Sequence, residues 1–218
     1  MSAGFAMASL DHMTLIAPSI ERGIEVFESL TGVHATEGGK HSVNGTANAL
    51  ASLGDQRYLE IMCPDPDGPP AGSLGAQIAT VGAPRFVNYL VRSYNVDAVG
   101  VAAERFGLRI DPDFVMSRET LEGHTLQWRI GVVAGHDFGP IVPHFIDWMD
   151  SPHPTADCAQ GCSFVSIRAL TPDVEELGAI HNALGIDVDV VAGDSHGLEV
   201  VIDSPKGLVV LRTDEALG

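Results

Sequence analysis

Residues 10–33 read LDHMTLIAPSIERGIEVFESLTGV, and this stretch decides how the rest of the sequence is interpreted. Its first part, LDHMTLIA, is rich in apolar residues that alternate in part with polar ones, and this pattern predicts a β-strand. Ser19 is suited to cap a helix whose apolar residues recur every three or four positions from Ile20 to Leu30. Gly32 is typical of the position at which a helix ends. The stretch therefore predicts a strand followed directly by an amphipathic helix.

The same order of elements recurs twice further along the chain. A short extended stretch at 33–36 and two strands at 48–53 and 58–63 complete a first unit. A second unit begins with a strand at 85–92, and a third with a strand at 162–170. Because self-similarity along a chain indicates a repeated architecture, we interpret the sequence as three tandem βαβββ units. Their bounds are 1–73, 74–154 and 155–218.

Composition narrows the classes of partner. Twelve Lys and Arg residues against 29 Asp and Glu residues give a formal net charge of −17. This acid excess disfavours nucleic acid and anionic membrane surfaces as partners. No apolar run reaches the ~18 residues of a membrane helix, and residues 1–12 lack the basic stretch of an export signal. Three cysteines form no disulfide framework, and we expect a cytoplasmic protein.

Four segments carry a resemblance to a known family. They are the opening stretch, GGKHSVNGTANALASLGDQRYLEI at 38–61, TLQWRI at 125–130 and PHFIDWMDSPHP at 143–154. Together they resemble the vicinal oxygen chelate superfamily, which includes glyoxalase I, extradiol dioxygenases and bleomycin-binding proteins, and more narrowly its glyoxalase-like domain group. The resemblance implies an α+β fold of tandem βαβββ modules with curved mixed or antiparallel sheets. The third module resembles this fold only in pattern and is expected to be degenerate.

The resemblance also implies a metal between the first two modules, held by their first and last strands. Aligning the two units places Asn88 opposite His12 and Asp147 opposite Glu60. His12, Glu60 and Asp147 are then the implied ligands of a divalent ion (Zn²⁺, Mn²⁺, Ni²⁺ or Mg²⁺), although the cavity could also work without a metal. Asn88 departs from the His, Glu or Gln of catalytic members. Glu60 and Asp147, carboxylates in apolar strands, are the expected catalytic residues.

Five more polar or aromatic side chains are expected to line the cavity and bind a substrate. Each candidate also has a structural interpretation: His12 could be a core histidine, the two carboxylates could face solvent on hairpin strands, and tryptophans in such strands are commonly packed in a core. The five expected binding residues are His41, Asn48, Asn88, Trp128 and Trp148.

Three classes of function stay open. The first is a metal-dependent enzyme, a lyase or isomerase, that acts on a small oxygen-rich molecule through Lewis-acid and proton-transfer chemistry. The second is a noncatalytic binding or sequestering protein that uses the same cavity. The third is an assembly partner whose third unit forms a homodimer. We rank the enzyme first, although a fold by itself does not determine function.

Overall fold

The computed structural model describes residues 8–41, 43–119 and 123–218. The prediction that no export signal is present rests in part on residues 1–7 and so lies outside the described residues. The described parts of the chain form four α-helices and twelve strands, arranged in two sheets. None of their helices is long and apolar enough to cross a membrane. The predicted α+β class with tandem modules is confirmed.

The first unit begins as the sequence predicts. The Ser19 side chain accepts a hydrogen bond from the backbone N–H of Arg22 at 3.2 Å and caps helix α1. Gly32, with φ at 79°, ends the helix in the left-handed conformation that glycine favours. The helix packs its apolar face, which includes Phe27, against the sheet. The elements are β1 (Ser9–Ile16), α1 (Ile20–Thr31), β2 (Thr36–His41), β3 (Thr46–Ser52) and β4 (Tyr58–Pro64).

The second unit contains two elements that the sequence analysis did not predict. Helix α2 follows the Pro-rich loop, and the Ser73 side chain accepts a hydrogen bond from the backbone N–H of Ala76. Strand β6 is eleven residues long, and its polar residues obscure the alternation that would indicate a strand. The elements are α2 (Leu74–Ile78), β5 (Arg85–Arg92), α3 (Val96–Ala103), β6 (Arg109–Glu119), β7 (Thr125–Ala134) and β8 (His144–Asp147).

These two units share one eight-stranded sheet with the order β2-β3-β4-β1-β5-β8-β7-β6. The first strands of the units, β1 and β5, pair antiparallel at its centre. There His12 lies opposite Leu90 and Thr14 lies opposite Asn88. A local two-fold relation exchanges these two pairs, so Asn88 corresponds to His12, as the sequence alignment predicts. The curled sheet carries α1 and α3 on one face and a cavity on the other.

The third unit keeps the βαβββ sequence of elements but not their arrangement in the sheet. Its four-stranded sheet has the order β10-β9-β11-β12, so its first strand is internal and pairs parallel with the strand after the helix. In the other two units the first strand pairs with the last. The third unit therefore has no equivalent edge to continue the large sheet. Its elements are β9 (Ser163–Thr171), α4 (Val174–Leu184), β10 (Asp189–Ala192), β11 (Gly197–Ser204) and β12 (Gly207–Arg212).

One apolar core runs through all three units and joins the third to the others. Helix α4 packs near α3, and Lys206 Nζ donates to the backbone oxygen of Ser29 at 2.8 Å near the end of α1. The four-stranded sheet leaves Val165, Leu208 and Val210 exposed. The homodimer expected from the third unit stays a prediction.

Candidate functional site

A cavity of about 500 Å³ opens on the face of the large sheet opposite α1 and α3, between the first two units. Side chains of a strand alternate between faces, and β1 therefore presents His12 and Thr14 to the cavity, while β4 presents Tyr58 and Glu60. The rest of the wall is mainly apolar. Its larger apolar members include Leu50, Leu90, Phe114, Met116, Trp128 and Trp148.

The segment with helix α2 covers one side of the cavity. Leu74 and Ile78 of this helix line it. The backbone N–H of Gly75 donates to the oxygen of Asn44 at 2.9 Å, and a Cβ added at Gly75 would collide with the backbone oxygen of Gly45. The helix therefore lies directly on the turn between β2 and β3. Its closeness to that turn requires a glycine.

The polar groups of the cavity form a hydrogen-bonded chain on the side of the first unit. Glu60 Oε1 accepts from Asn48 Nδ2 at 2.8 Å, and Asn48 Oδ1 accepts from the Arg118 guanidinium at 3.1 Å. The second oxygen of Glu60, Oε2, lies 3.8 Å from His12 Nε2. All four side chains are buried. The amide of Asn48 thus holds a carboxylate on one side and a cation on the other.

Two neighbouring residues, His41 and Gly38, hold these hydrogen-bonded side chains in place. The ring of His41 packs edge-on to Trp128, and its Nε2 lies 3.5 Å from Asn48 Nδ2. Burial lowers the pKa of His41, so the neutral ring can accept a hydrogen bond from this amide. A Cβ added at Gly38 would collide with both the Arg118 guanidinium and Asn48 Oδ1. The absence of a side chain at Gly38 is therefore what allows Arg118 to reach Asn48.

Behind His12 lies a buried carboxylate, Asp11, which the sequence analysis did not select. Its Oδ1 lies 2.8 Å from His12 Nδ1. Its Oδ2 accepts a hydrogen bond from Trp148 Nε1 at 3.0 Å and lies 3.3 Å from His153 Nε2. Arg92 Nε is 3.6 Å from the same oxygen. Asp11 is fully buried and is surrounded by donors and by one permanent positive charge.

Asp11 determines which nitrogen of His12 carries the proton. Burial disfavours the charged form of Asp11, but hydrogen bonds with His12 and His153 outweigh burial and hold its pKa well below the ordinary value. Because an ionised carboxylate only accepts hydrogen bonds, neutral His12 has its proton on Nδ1 and a lone pair on Nε2. That lone pair faces the Glu60 carboxylate. Two facing acceptors can be satisfied by a hydrogen-bond donor or by a positive charge, such as a proton or a metal ion, placed between them.

The structure corrects the predicted position of Asp147. His144 and Ile146 of β8 line the cavity, so Asp147 points to the other side of the sheet. Its Oδ1 accepts the backbone N–H of Met149 at 2.9 Å. Asp147 is therefore not brought together with His12 as a ligand or a catalytic group.

Strand register identifies the residue of the second unit that corresponds to Glu60. Glu60 pairs with the β1 residue two positions after His12, and His144 pairs with the β5 residue two positions after Asn88. His144, and not Asp147, thus corresponds to Glu60. Asn88 Oδ1 and His144 Nδ1 are buried and have no hydrogen-bond partner among the residues that the structure describes.

The four corresponding side chains fit a divalent ion by their donor chemistry. They supply two imidazoles, a carboxylate and an amide oxygen to one cavity, and burial lowers the pKa of His144, which keeps that ring neutral and able to ligate. Their arrangement is open: within the described ranges, no three His, Cys, Asp or Glu side chains lie close enough to share a metal. The four are His12, Glu60, Asn88 and His144.

The sequence profile of the family described as "Glyoxalase-like domain" matches residues 10–185, more than half of the chain. The chain belongs to the glyoxalase-like domain family. The predicted resemblance is thereby confirmed, and the match continues into the third unit as far as the end of α4. A search of curated protein sequences finds no match.

Solved structures share the fold of this glyoxalase-like protein. A hypothetical protein from Staphylococcus aureus aligns with a TM-score of 0.62 at 15% identity, covering 94% of this chain and 85% of that one. Methylmalonyl-CoA epimerase from Mycobacterium tuberculosis aligns with a TM-score of 0.50 at 18% identity, covering 72% of this chain and 97% of that one. At these identities the likeness establishes the fold alone.

Most of the predicted site residues lie together, and several unpredicted ones join them. Asp11 was missed because it occupies a register shift in β1, where strand alternation gives no guidance. Arg118 was missed because no strand was predicted there. Tyr58 stacks on His12 with ring centroids 4.6 Å apart, and burial raises the pKa of its hydroxyl well above the ordinary value. The predicted residues that line the cavity are His12, His41, Asn48, Glu60, Asn88, Trp128 and Trp148.

Proposed function

We propose that this glyoxalase-like protein is an enzyme, a lyase or isomerase, that moves a proton on a small oxygen-containing molecule held in the cavity. The observation that supports this best is the arrangement of Glu60. One of its oxygens is held by Asn48, and the other is left facing His12 inside a mainly apolar cavity. A fixed carboxylate in such surroundings can remove a proton from a carbon next to a carbonyl group.

The neighbours of Glu60 have distinct supporting roles in this proposal. Asp11 holds the His12 ring through Nδ1, so that Nε2 points at the place where a substrate oxygen would lie. Tyr58 fixes the plane of the His12 ring by stacking. The apolar wall around Trp128 lowers the local dielectric, which strengthens each of these electrostatic interactions.

A divalent metal ion belongs to this proposal. His12, Glu60, Asn88 and His144 would hold it, and Zn²⁺, Mn²⁺, Ni²⁺ and Mg²⁺ are the candidates. The unpartnered atoms of Asn88 and His144, and the two facing acceptors of His12 and Glu60, support this assignment. When bound, the ion would supply Lewis-acid stabilisation of negative charge on a substrate oxygen. The transferred proton is assigned to Glu60.

Hydrogen exchange into D₂O tests the proposed chemistry. Wild-type protein is incubated with a panel of 2-oxo and 2-hydroxy carbonyl compounds, with and without each of the four ions, and exchange at carbon is followed by NMR. We expect exchange of at least one compound, slowed by roughly 10²-fold or more in Glu60→Gln. Glu25→Gln, which alters an exposed carboxylate on α1 away from both cavities, is the matched control and keeps the wild-type rate. Exchange of no compound by the wild type, or equal rates in Glu60→Gln, contradicts the proposal.

Metal content tests the assigned ligands separately. After loading with each ion and desalting, we expect His12→Ala and His144→Ala to retain less metal than the wild type. Asp147→Ala lies on the other side of the sheet and is the control, with unchanged metal content. Full retention in both histidine variants rules out this ligand set.

Noncatalytic binding is a second candidate, which the aromatic wall favours. Trp128 and Trp148 lie with ring centroids 5.4 Å apart and offer a surface for a planar ligand. This function predicts a ligand that raises the melting temperature without being consumed. It also predicts that Glu60→Gln binds this ligand as tightly as the wild type, whereas the enzyme loses turnover in the same variant.

A further inference from the structure

Arg118 is a buried cation in the wall of the cavity. Only 6% of its surface is exposed. Among the described residues no carboxylate lies within ion-pair distance of it, and its hydrogen bond goes to the neutral amide oxygen of Asn48. A guanidinium has five N–H donors and stays charged at neutral pH. Burial of such a charge is unfavourable unless a counter-charge completes the site.

The surrounding residues position the guanidinium, and the Glu60 carboxylate, which acts on its charge, is held off by the Asn48 amide. Gly38 leaves the space that the group occupies, and Asn48 fixes one of its nitrogens. Phe114 and Met116 precede Arg118 at alternate positions of β6 and line the same cavity. Strand β6 therefore presents an apolar surface that ends at a positive charge.

The distribution of acidic groups indicates the side from which an anion would approach. Arg118 also borders a second, smaller cavity of about 340 Å³ on its other side. That cavity contains the carboxylates of Glu37 and Asp157. Among the described residues that line the first cavity, Glu60 alone has a carboxylate. The first cavity therefore presents one carboxylate, Glu60, to an approaching anion, and the second cavity presents two.

We infer that Arg118 binds the carboxylate of a small organic acid whose apolar body fills the first cavity. A planar carboxylate matches the paired donors of a guanidinium. Because one amide, that of Asn48, links Arg118 to Glu60, the reacting carbon of this acid lies within a few bonds of its carboxylate. The inference rests on the proposed function and narrows its substrate class to carboxylic acids substituted close to the acid group.

Matched pairs of an acid and its neutral amide test the inference by binding alone. Thermal unfolding is followed with phenylacetate and phenylacetamide, and with homologous pairs of longer apolar chains. Binding to the folded state raises the melting temperature. We expect at least one acid to stabilise the wild type more than its amide does. This preference disappears in Arg118→Met, with the affinity for the acid weakened about tenfold or more. Arg85→Met, an exposed arginine on β5, is the control and keeps the preference.

Two further variants keep the test decisive if Arg118→Met does not fold. Arg118→Lys retains the charge but loses the paired donors, so we expect a weaker preference for the acid. Gly38→Ala retains Arg118 and displaces its guanidinium, and we expect the preference to be lost. An equal effect of acid and amide throughout the wild-type series overturns the inference. So does an undiminished preference in Arg118→Met or, where that variant does not fold, in Gly38→Ala.

The inference and the proposed function fail in different ways. If acids are preferred but no compound exchanges hydrogen, the proposed chemistry fails and Arg118 remains an anion-binding residue. If hydrogen exchange occurs but acids and amides react and bind equally, the proposed chemistry stands and the role of Arg118 is wrong. Glu60→Gln should lose exchange and keep the preference for acids.

Discussion

The two units that enclose the cavity use corresponding strand positions in opposite ways. In the first unit, His12 is bound to Asp11, and Glu60 is bound to Asn48. In the second unit, the corresponding Asn88 and His144 each bury an atom that has no partner among the described residues. One half of the site is thus completed by the protein itself. The other half lines the cavity with residues whose buried polar atoms no described residue satisfies.

Because of this difference, the polar groups of the first unit contribute to stability, whereas those of the second unit can contribute only once a ligand or ion binds. Buried polar groups in proteins are nearly always hydrogen-bonded, and the exceptions need a physical explanation. The network of the first unit stabilises the fold because each member satisfies another. A buried polar group without a hydrogen-bond partner lowers the stability of the fold until a ligand or ion binds to it. Equivalent substitutions in the two halves should therefore have different, and in part opposite, effects on stability.

The largest difference in stability is expected between substitutions of two aspartates. Asp11 belongs to the hydrogen-bonded network of the first unit, and Asp147 lies outside it. Asp11→Asn removes the negative charge that Arg92 and His153 surround, and leaves a buried cation uncompensated. We expect a loss of about 3–5 kcal/mol in the free energy of unfolding at neutral pH, measured with urea. Asp147→Asn keeps an acceptor for the N–H of Met149 and should change stability by less than about 0.5 kcal/mol.

The pH dependence gives this prediction a second readout. The pKa of Asp11 is lowered in the folded protein, so its contribution to stability is complete above the unfolded-state value of about 3.9. The contribution is lost as the pH falls below that value towards the folded-state pKa. The gap between wild type and Asp11→Asn should therefore narrow in acid. A constant gap from neutral pH to strong acid contradicts the assignment of the charge to Asp11.

Two asparagines provide the next test, because the same substitution is expected to act differently in the two halves. Asn48→Leu leaves Glu60 and Arg118 without the amide that joins them, and hydrogen bonds to charged groups are the stronger kind. We expect the free energy of unfolding, measured with urea, to fall by about 3 kcal/mol. Asn88→Leu removes an unpartnered oxygen, and its stability should equal or exceed that of the wild type. Equal losses in both variants would show that the second half is not open.

How far the sequence predicts this fold depends on the kind of local signal. Helix α1 has a cap, a regular apolar stripe and a terminal glycine, and its predicted bounds agree closely with the structure. Strand β5 was predicted at residues 85–92, which are its bounds. Strand β6 lacks a clear alternation and is defined by its pairing with β7, which a local pattern does not contain. The order of strands in the third unit is likewise a tertiary property.

The site shows the same division. Strand alternation accounts for the neighbours of His12 and Glu60 that share the cavity face, among them Thr14 and Tyr58. Aligning residues 58–62 (YLEIM) with residues 145–149 (FIDWM) selects Asp147, because this alignment matches apolar residues and takes no account of strand register. The register of β5 with β8 selects His144 instead. Arg118 reaches the first unit only through the curl of the sheet, and no spacing in the sequence predicts that contact.

The smallest change in stability is expected for substitution of His144, and here the direction of the change is the informative result. His144→Leu removes a buried unpartnered nitrogen, and we expect the variant to be about 1 kcal/mol more stable than the wild type at pH near 8. Burial lowers the pKa of His144, so the folded protein resists protonation while the unfolded chain takes up a proton below about pH 6.5. Wild-type stability therefore falls with decreasing pH in this range, and the lead of His144→Leu should grow. Parallel stability curves in urea titrations from about pH 8 to about pH 5 would mean that His144 is hydrogen-bonded. In that case the second half of the site would be as complete as the first.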